Sequence, residues 1–554
     1  LGFLPQPNRR VVEWGNEVFE CWVSYLNPTY YLIMFNRQNR TEIQQFVVTA
    51  QQMQAIETRL FDAGMPVAAL MEKVAGRLTQ CILRKIESIP VTSIGVIVGP
   101  GHNGGDALVV ARELHFLGYS LVVYCPFSKQ KELTQSHLKY ITSLGILIDQ
   151  NIESLQNCDV IIDGMFGFGL ERPITDELAE AVNQINAWKK RVLSIDLPSG
   201  IHTDTGEVLG TAINATDTFC LGLWKLAFLQ DSALDYLGNV ELIDFDIPLA
   251  DIQAILGKNP EFRRITKENA IADLPLPRPL TSHKYKNGNL LIVAGSHRYT
   301  GAAILAGLGA RASGVGMLSI AVPNSIKPLL SSQLPEALIV GCPETEDGAI
   351  LDFPSHFSLD QFDAIACGPG LTQSASTIVQ MILDGNQPLI LDADGLNILA
   401  QLDPISTLSQ RQAATVITPH PGEFKRLFPD LVEELKNRIL VTQKAAQQSQ
   451  SIVLLKGARV CIGTENTVWM NPESTPALAR GGSGDVLTGL LGGLLAAVVL
   501  NQTPIDAIVK TAVWWHAQAG IKAAKDKTEL GVDAFTLTQY LNLLQLGLNS
   551  NNHN

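Results

Sequence analysis

Two glycine–aspartate clusters are the residues of this chain most suited to chemistry: GPGHNGGD at Gly99–Asp106 and GGSGD at Gly481–Asp485. Glycines let a backbone approach a ligand closely, and amides at a helix N-terminus favour a phosphate. The apolar run Val486–Leu500 follows the second cluster. At about fifteen residues it would extend roughly 22 Å as a helix, short of the ~20 residues that span a bilayer. Gly489, Gly492 and Gly493 within it suit close packing, so a buried core helix is expected. Asp485 would then sit at a positive helix end, placed to take a proton from a hydroxyl attacking a phosphoryl group. No GxxxxGK[ST] loop occurs, which excludes a Walker-type site.

The first cluster has company. Asp163 opens DGMFGFGL, and Asp196 opens DLPSG, which includes Ser199. Asn103, Asp163 and Ser199 offer hard oxygens, suited to an alkali or alkaline-earth cation rather than zinc. Asp196 is a candidate general acid or base. Taken singly, each carboxylate could merely cap a helix, and GPGHNGGD could be a tight turn only. His420, in TPHPGEF, could be a turn histidine.

These residues need elements to position them. Ile94–Val98, Leu121–Tyr124, Val160–Ile162 and Val192–Ile195 read as buried parallel strands, with a helix over 107–117. A second α/β series reads from Leu290–Ala294, Met317–Val322, Ala364–Cys367, Leu389–Leu391, Val416–Thr418 and Ile452–Leu455, with a last helix over 535–546. Thr49 is placed to cap a helix opening at Ala50. In open parallel sheets ligands sit beyond the carboxyl ends of the strands, where the first cluster, Asp163 and Asp196 fall. The expected organisation is an extension outside the fold (1–40), a Rossmann-like three-layer α/β domain (41–250), a proline-rich linker (251–280), a ribokinase-like α/β domain (281–546) and a polar tail (547–554). The stretch Tyr30–Phe35 is too short to span a membrane.

Lys and Arg number 41 against 54 Asp and Glu, a net charge of −13, so a general nucleic-acid footprint is missing. Eight cysteines without a CxxC pair read as reduced and buried, and a cytoplasmic location is expected. No membrane contact is expected; a homo-oligomer is.

The set GPGHNGGD, DGMFGFGL, IDLPSG and TDTG resembles the YjeF N-terminal domain, the NAD(P)H-hydrate epimerase, over roughly 49–245. The resemblance implies that His102, Asn103, Gly104, Gly105 and Asp106, with Gly167, Phe168, Gly169, Leu170, Glu171, Arg172 and Pro173, embrace a hydrated dinucleotide. It implies that Asn103, Asp163 and Ser199 hold potassium (K+), that Asp196 touches the substrate, and that Lys225 is a further catalytic candidate. His102 departs from the family, which usually has Asn there.

AGSHRYTGAA (294–303), CGPGL (367–371), LDADGLN (391–397), TPHPGEF (418–424), LLKGA (454–458) and GGSGD look like the ADP-dependent NAD(P)H-hydrate dehydratase domain, over about 265–545. The implied hydrate contacts are Ala302, Gly370, His420 and Asp485. Lys456, Gly457, Ala458, Arg459, Val460 and Gly484 would line ADP, with Mg2+ (Mg²⁺) as its companion. Thr372 stands where the family commonly has Gly, and STPALAR (474–480) replaces a more usual loop. Arg480 could contact a phosphate or only pair at the surface. The implied activity is repair of NADHX and NADPHX, by epimerisation and ADP-dependent dehydration. Two rivals stay open: a vitamin-precursor kinase fused to a regulatory domain, and a non-enzymatic binding module.

Overall fold

A computed structural model describes residues 10–14, 17–21, 40–274, 276–499 and 503–548, with backbone alone at 10–14, 17–21 and 543–548. It divides into two units, 1–45 and 46–554. In the first, Arg10–Trp14 and Glu17–Cys21 form an antiparallel hairpin. The stretch 30–35 and the tail 549–554 lie outside the described residues.

The second unit holds two α/β sheets. The first uses β1 (Ser93–Val98), β2 (Ser120–Tyr124), β3 (Leu147–Asp149), β4 (Val160–Gly164), β5 (Arg191–Ile195), β6 (Asp217–Leu221) and β7 (Asn239–Ile243). Its order is β7-β6-β5-β4-β1-β2-β3, and every pairing is parallel. The chain reverses direction across the sheet between β1 and β4, so a crevice opens beyond their carboxyl ends. Ile94, Val96, Ile97 and Val98 are all fully buried, as strands covered by helices on both faces must be.

Helices α1 (Ala50–Asp62), α2 (Val67–Ile86) and α3 (His102–Phe116) flank this sheet. Thr49 caps α1 by accepting from the Gln52 amide at 3.1 Å, and the Gln52 side chain accepts from the Thr49 amide at 2.9 Å. Helix α3 begins five residues before the expected 107, so 102–106 form its first turn rather than a loop. Glycine explains the difference. A Cβ on Gly104 would lie 2.1 Å from the Gly99 carbonyl oxygen, and one on Gly99 would lie 1.6 Å from that of Met165. Helix and turn interpenetrate only because both positions are bare.

The second sheet uses β8 (Phe262–Arg264), β9 (Asn289–Val293), β10 (Met317–Pro323), β11 (Leu338–Cys342), β12 (Ala364–Cys367), β13 (Leu389–Leu391), β14 (Thr415–Ile417), β15 (Ile452–Leu455), β16 (Cys461–Gly463) and β17 (Val468–Met470). Its order is β8-β17-β16-β15-β14-β13-β12-β9-β10-β11. Pairings are parallel except at β15–β16 and β16–β17. Around it lie α4 (Thr300–Ser313), α5 (Pro421–Leu427), α6 (Arg438–Ser449), α7 (Ser483–Val499) and α8 (Ile505–Lys527).

The membrane-like run is α7, buried from Val486 to Val498. A Cβ on Gly489 would lie 1.8 Å from the Ala306 carbonyl oxygen of α4, and one on Gly493 would lie 2.0 Å from Ser313 Oγ. Small residues bring α4 and α7 together; alanine at 489 would cost about 1–3 kcal/mol by overpacking. Among the described residues no helix is long and apolar enough to cross a membrane. Among the described side chains, seven cysteines are free and buried.

The expected linker 251–280 is instead packed structure. Asp251 pairs with Arg59 of α1 at 3.2 Å, β8 pairs in parallel with β17, and the Ala270 carbonyl accepts from Thr511 Oγ1 at 2.7 Å. Its prolines mask a three-residue strand too short to show a period. The Arg264 guanidinium lies 4.6 Å from the ring of Trp224, and a buried cluster joins Trp224 and Phe228 to Phe262 and the second sheet. The two sheets therefore meet through an apolar contact.

Candidate active sites

Three strand-end segments interlock above the first sheet. Asp163, at the end of β4, is fully buried. Its Oδ1 accepts from Ser199 Oγ at 2.7 Å and the Met165 amide at 3.2 Å; its Oδ2 accepts from Ser194 Oγ and the Ser199 amide, both at 2.9 Å. Every one of these donors is neutral, and burial pushes the carboxyl above its ordinary range. A buried carboxylate held by neutral donors alone is a setting that would suit a monovalent cation, with Ser199 Oγ as a neutral oxygen beside it. Asn103 Oδ1 lies 3.3 Å from where a Gly167 Cβ would stand, and Asn103 Nδ2 donates to the Ile195 carbonyl at 3.3 Å.

Asp196 follows β5 with φ +68°, a left-handed backbone that aspartate rarely adopts. This turn aims both carboxylate oxygens inward. Oδ1 meets Lys225 Nζ at 2.5 Å, and Oδ2 accepts from the Phe168 amide at 2.8 Å. Lys225 is wholly buried and also donates to the Leu221 carbonyl at 2.5 Å. Burial would push its ammonium pKa down, but Asp196 and then Cys220 outweigh it, so the net shift is upward. A Cβ on Gly167 would lie 2.9 Å from Asp196 Oδ2, so only glycine fits there. The ammonium also lies 5.6 Å from the Phe168 ring.

Gly104, Gly105 and Asp106 are buried in the first turn of α3, whereas His102 is exposed. Leu170 is half-buried; Glu171, Arg172 and Pro173 point outward at the far end of the loop. The Gly169 amide donates to Thr203 Oγ1 at 3.2 Å.

The second site lies at the carboxyl ends of β12 to β15. Asp392, after β13, is 1% exposed and binds Lys456 Nζ at 2.5 Å and Thr488 Oγ1 of α7 at 2.6 Å. Burial opposes ionisation of Asp392, but Lys456 and Thr488 win, and its carboxyl is held below the ordinary range. A Cβ on Gly484 would lie 3.4 Å from Lys456 Nζ and 3.8 Å from Asp392 Oδ2. Asp485, half-buried in the first turn of α7, is pushed up to about 7 by burial, then by Asp392 and, less, Asp394; Lys456 pulls the other way. A carboxyl near 7 can accept a proton at neutral pH.

His420 caps α5: its Nδ1 accepts from the Gly422 amide at 2.9 Å, which makes the ring neutral with its proton on Nε2. Glu423 Oε2 accepts from the His420 amide at 2.8 Å. Gly370 has φ +66°, and a Cβ there would lie 2.8 Å from Ala302 Cβ, so those two expected contacts do meet. Lys456, Gly457, Ala458, Arg459 and Val460 form the turn between β15 and β16. Arg480 donates to the Val532 carbonyl at 2.8 Å.

A family model described as NAD(P)H-hydrate dehydratase matches 290–543, and one described as YjeF-related protein N-terminus matches 67–227. A bifunctional NAD(P)H-hydrate repair enzyme of Synechocystis sp. is 51% identical over 89% of this chain and 94% of its own. One of Thermosynechococcus vestitus is 49% identical over 88% and 94%. The chain belongs to the bifunctional NAD(P)H-hydrate repair enzyme family. Among solved structures, the ADP/ATP-dependent NAD(P)H-hydrate dehydratase from Bacillus subtilis, co-crystallized with ATP/Mg2+, is 32% identical, covers 51% of this chain and 97% of its own, with a TM-score of 0.43.

Sequence reading missed several groups at these sites. Glu57 of α1 is pushed up to about 7, mainly by burial, with Lys225 and Asp196 the charges that act on it most. Its helical spacing marks it as one more surface glutamate, so no local signal finds it. Asp392 was visible in LDADGLN but not as the partner of Lys456. His516 of α8 is buried against the Ser483 carbonyl at 3.0 Å and, through burial, lowered to about 4, so it is neutral. Among the described residues no three His, Cys, Asp or Glu side chains could together hold a metal ion.

Proposed function

We propose that this chain repairs hydrated nicotinamide dinucleotides in two steps at two sites. The first sheet's residues, about 41–256, interconvert the (R) and (S) epimers of NADHX and NADPHX. The second sheet's residues, from about 262 to 546, dehydrate the (S) epimer with ADP, giving NAD(P)H, AMP and phosphate. Family membership supports the pair of reactions. The observation that carries the residue assignment is that each site gathers its Asp–Lys pair at the carboxyl ends of parallel strands.

In the first site, Asp196 exchanges a proton with the hydrate, while Lys225 holds that carboxylate in place. Gly167 leaves the Asp196 carboxylate uncovered for a dinucleotide beneath the loop, and Gly104 lets the first turn of α3 seat against Gly99. Asn103, Asp163 and Ser199 would hold potassium, which supplies a fixed positive charge beside the substrate. In the second site, Asp485 takes the proton of the hydrate hydroxyl as its oxygen bonds to the β-phosphorus of ADP. The bond from that phosphorus to the bridging oxygen breaks, and AMP leaves. The carbon–oxygen bond of the phosphorylated hydrate then breaks and phosphate departs. Loss of a neighbouring proton restores the ring double bond. Lys456 and the α7 N-terminus face the charge that develops on the transferring group. Mg2+ would be brought by the nucleotide phosphates.

Recovery of absorbance at the reduced-nicotinamide band tests this. With both NADHX epimers, ADP, Mg2+ and K+, full recovery is expected. No recovery with ADP or ATP would overturn the dehydratase reading and favour a vitamin-precursor kinase.

A further inference from the structure

We propose that Asp231, contributed by the first sheet's half of the chain, is a positioning residue for the nucleotide loop of the second site. The proposal rests on the reading that 456–460 line ADP. Asp231 opens a short 3-10 turn six residues beyond Lys225. Its Oδ1 accepts from the Arg459 amide at 2.8 Å and its Oδ2 from the Ala458 amide at 3.2 Å. The same Oδ2 pairs with Arg438, the first residue of α6. Arg438 Nη2 donates in turn to the Leu455 and Lys456 carbonyls, at 3.3 and 2.8 Å. One carboxylate and one guanidinium thus grip three backbone groups of a single turn and the strand carbonyl that leads into it. Gly457 is where the guanidinium lies against the chain: a Cβ there would stand 2.0 Å from Arg438 Nη1. Next to Asp231, Gln230 Nε2 donates at 2.8 Å to Asn437 Oδ1, which also caps α6 by accepting from the Leu440 amide at 3.2 Å.

The grip acts on the residue that matters for the chemistry. Lys456 begins the turn, and its ammonium reaches Asp392 beside Gly484. A turn held from outside before the nucleotide arrives saves the ordering cost of binding. Charge-assisted hydrogen bonds to successive amides are the strong kind, and losing one partner leaves the amides without an acceptor. The second site therefore depends on the first half of the chain for the shape of its nucleotide turn.

The experiment compares full-length wild type with Asp231→Asn, using ADP as the probe. Dehydration is measured against ADP and hydrate concentration, epimerisation is measured separately, and amide hydrogen exchange is followed in 455–461 with and without ADP. The expected result is a KM for ADP raised about tenfold, with kcat, the hydrate KM and the epimerisation rate within about twofold, and faster exchange at 458 and 459. An unchanged ADP KM overturns the proposal, and so does a lowered one, which would make Asp231 an occluder. A parallel fall in both activities would mean a structural role only and also overturns it. In wild type, failure of ADP to protect 456–460 sinks the reading beneath the proposal, and the proposal with it. Protection together with an unchanged KM sinks the proposal alone.

Discussion

Each site is built round one Asp–Lys pair at 2.5 Å, yet the two pairs are set differently. Asp196–Lys225 is closed: the lysine side chain is 0% exposed and the aspartate 4%. Asp392–Lys456 is half open, with 2% exposure at Asp392 but 23% at Lys456. In the first site the paired aspartate itself faces the glycine-lined crevice. In the second the paired aspartate is engaged by Lys456 and Thr488, and a separate carboxyl, Asp485, is pushed up to about 7. On the proposed reading, the same ion pair is the reacting group in one place and a holder in the other. What differs is the second donor: a backbone amide donates to Asp196 and a hydroxyl to Asp392, which also has a carboxyl, Asp485, acting on it.

The largest effects expected are those that separate the sites. Asp485→Asn should lower ADP-dependent dehydration by ~10³-fold and leave epimerisation intact; Asp196→Asn should do the reverse. Following absorbance recovery from an epimer mixture reads both. If Asp485→Asn retains more than about a tenth of wild-type dehydration, Asp485 is no base. The contrast between free and paired carboxylate then collapses.

Next comes stability. Lys225→Met strands Asp196 in a closed interior and should cost about 3–5 kcal/mol. Lys456→Met leaves Asp392 beside a partly open site and should cost less. Denaturant melts of the two variants test the order, and equal losses would show the difference in exposure to be energetically empty.

The parts of this architecture that could be read from the chain are those with local causes. Strand ends with Gly or Asp, the Thr49 cap and the buried α7 all follow from short-range pattern, and the structure has them within a few residues. What could not be read depends on partners far away in sequence. Asp392 meets Lys456 across sixty-four positions, and Glu57 comes under the influence of Lys225 and Asp196 only because α1 packs where β6 ends, with Met53 Cε 2.9 Å from where a Gly222 Cβ would stand. The packed 251–280 segment escaped because a strand of three residues, two of them arginine, has no alternation to detect.

A moderate effect should appear in pH. Asp485 must be ionised to act as a base, so dehydration should rise with unit slope up to about pH 7 and then level. Stability runs the other way. The folded pKa lies above that of the unfolded chain, so the folded state holds the proton more tightly. Stability therefore falls as pH rises from about 4 to 7. Asp485→Asn should raise the melting temperature at pH 8 and change it little at pH 5. An equal gain at both would mean that burial of the charge is not the cause.

The smallest effect separates the two meanings of Arg480. Its guanidinium donates to the Val532 carbonyl and lies near Asp533, and it is exposed. An exposed hydrogen bond of this kind is worth about 1 kcal/mol at most. Arg480→Ala should therefore change the KM for ADP by less than about twofold and lower the melting temperature slightly. A tenfold rise in that KM would show that Arg480 leaves Val532 for the nucleotide. The second site would then draw on a mobile cation besides Lys456. Its difference from the first, where Lys225 is locked in place, would be sharper than the closed geometry implies.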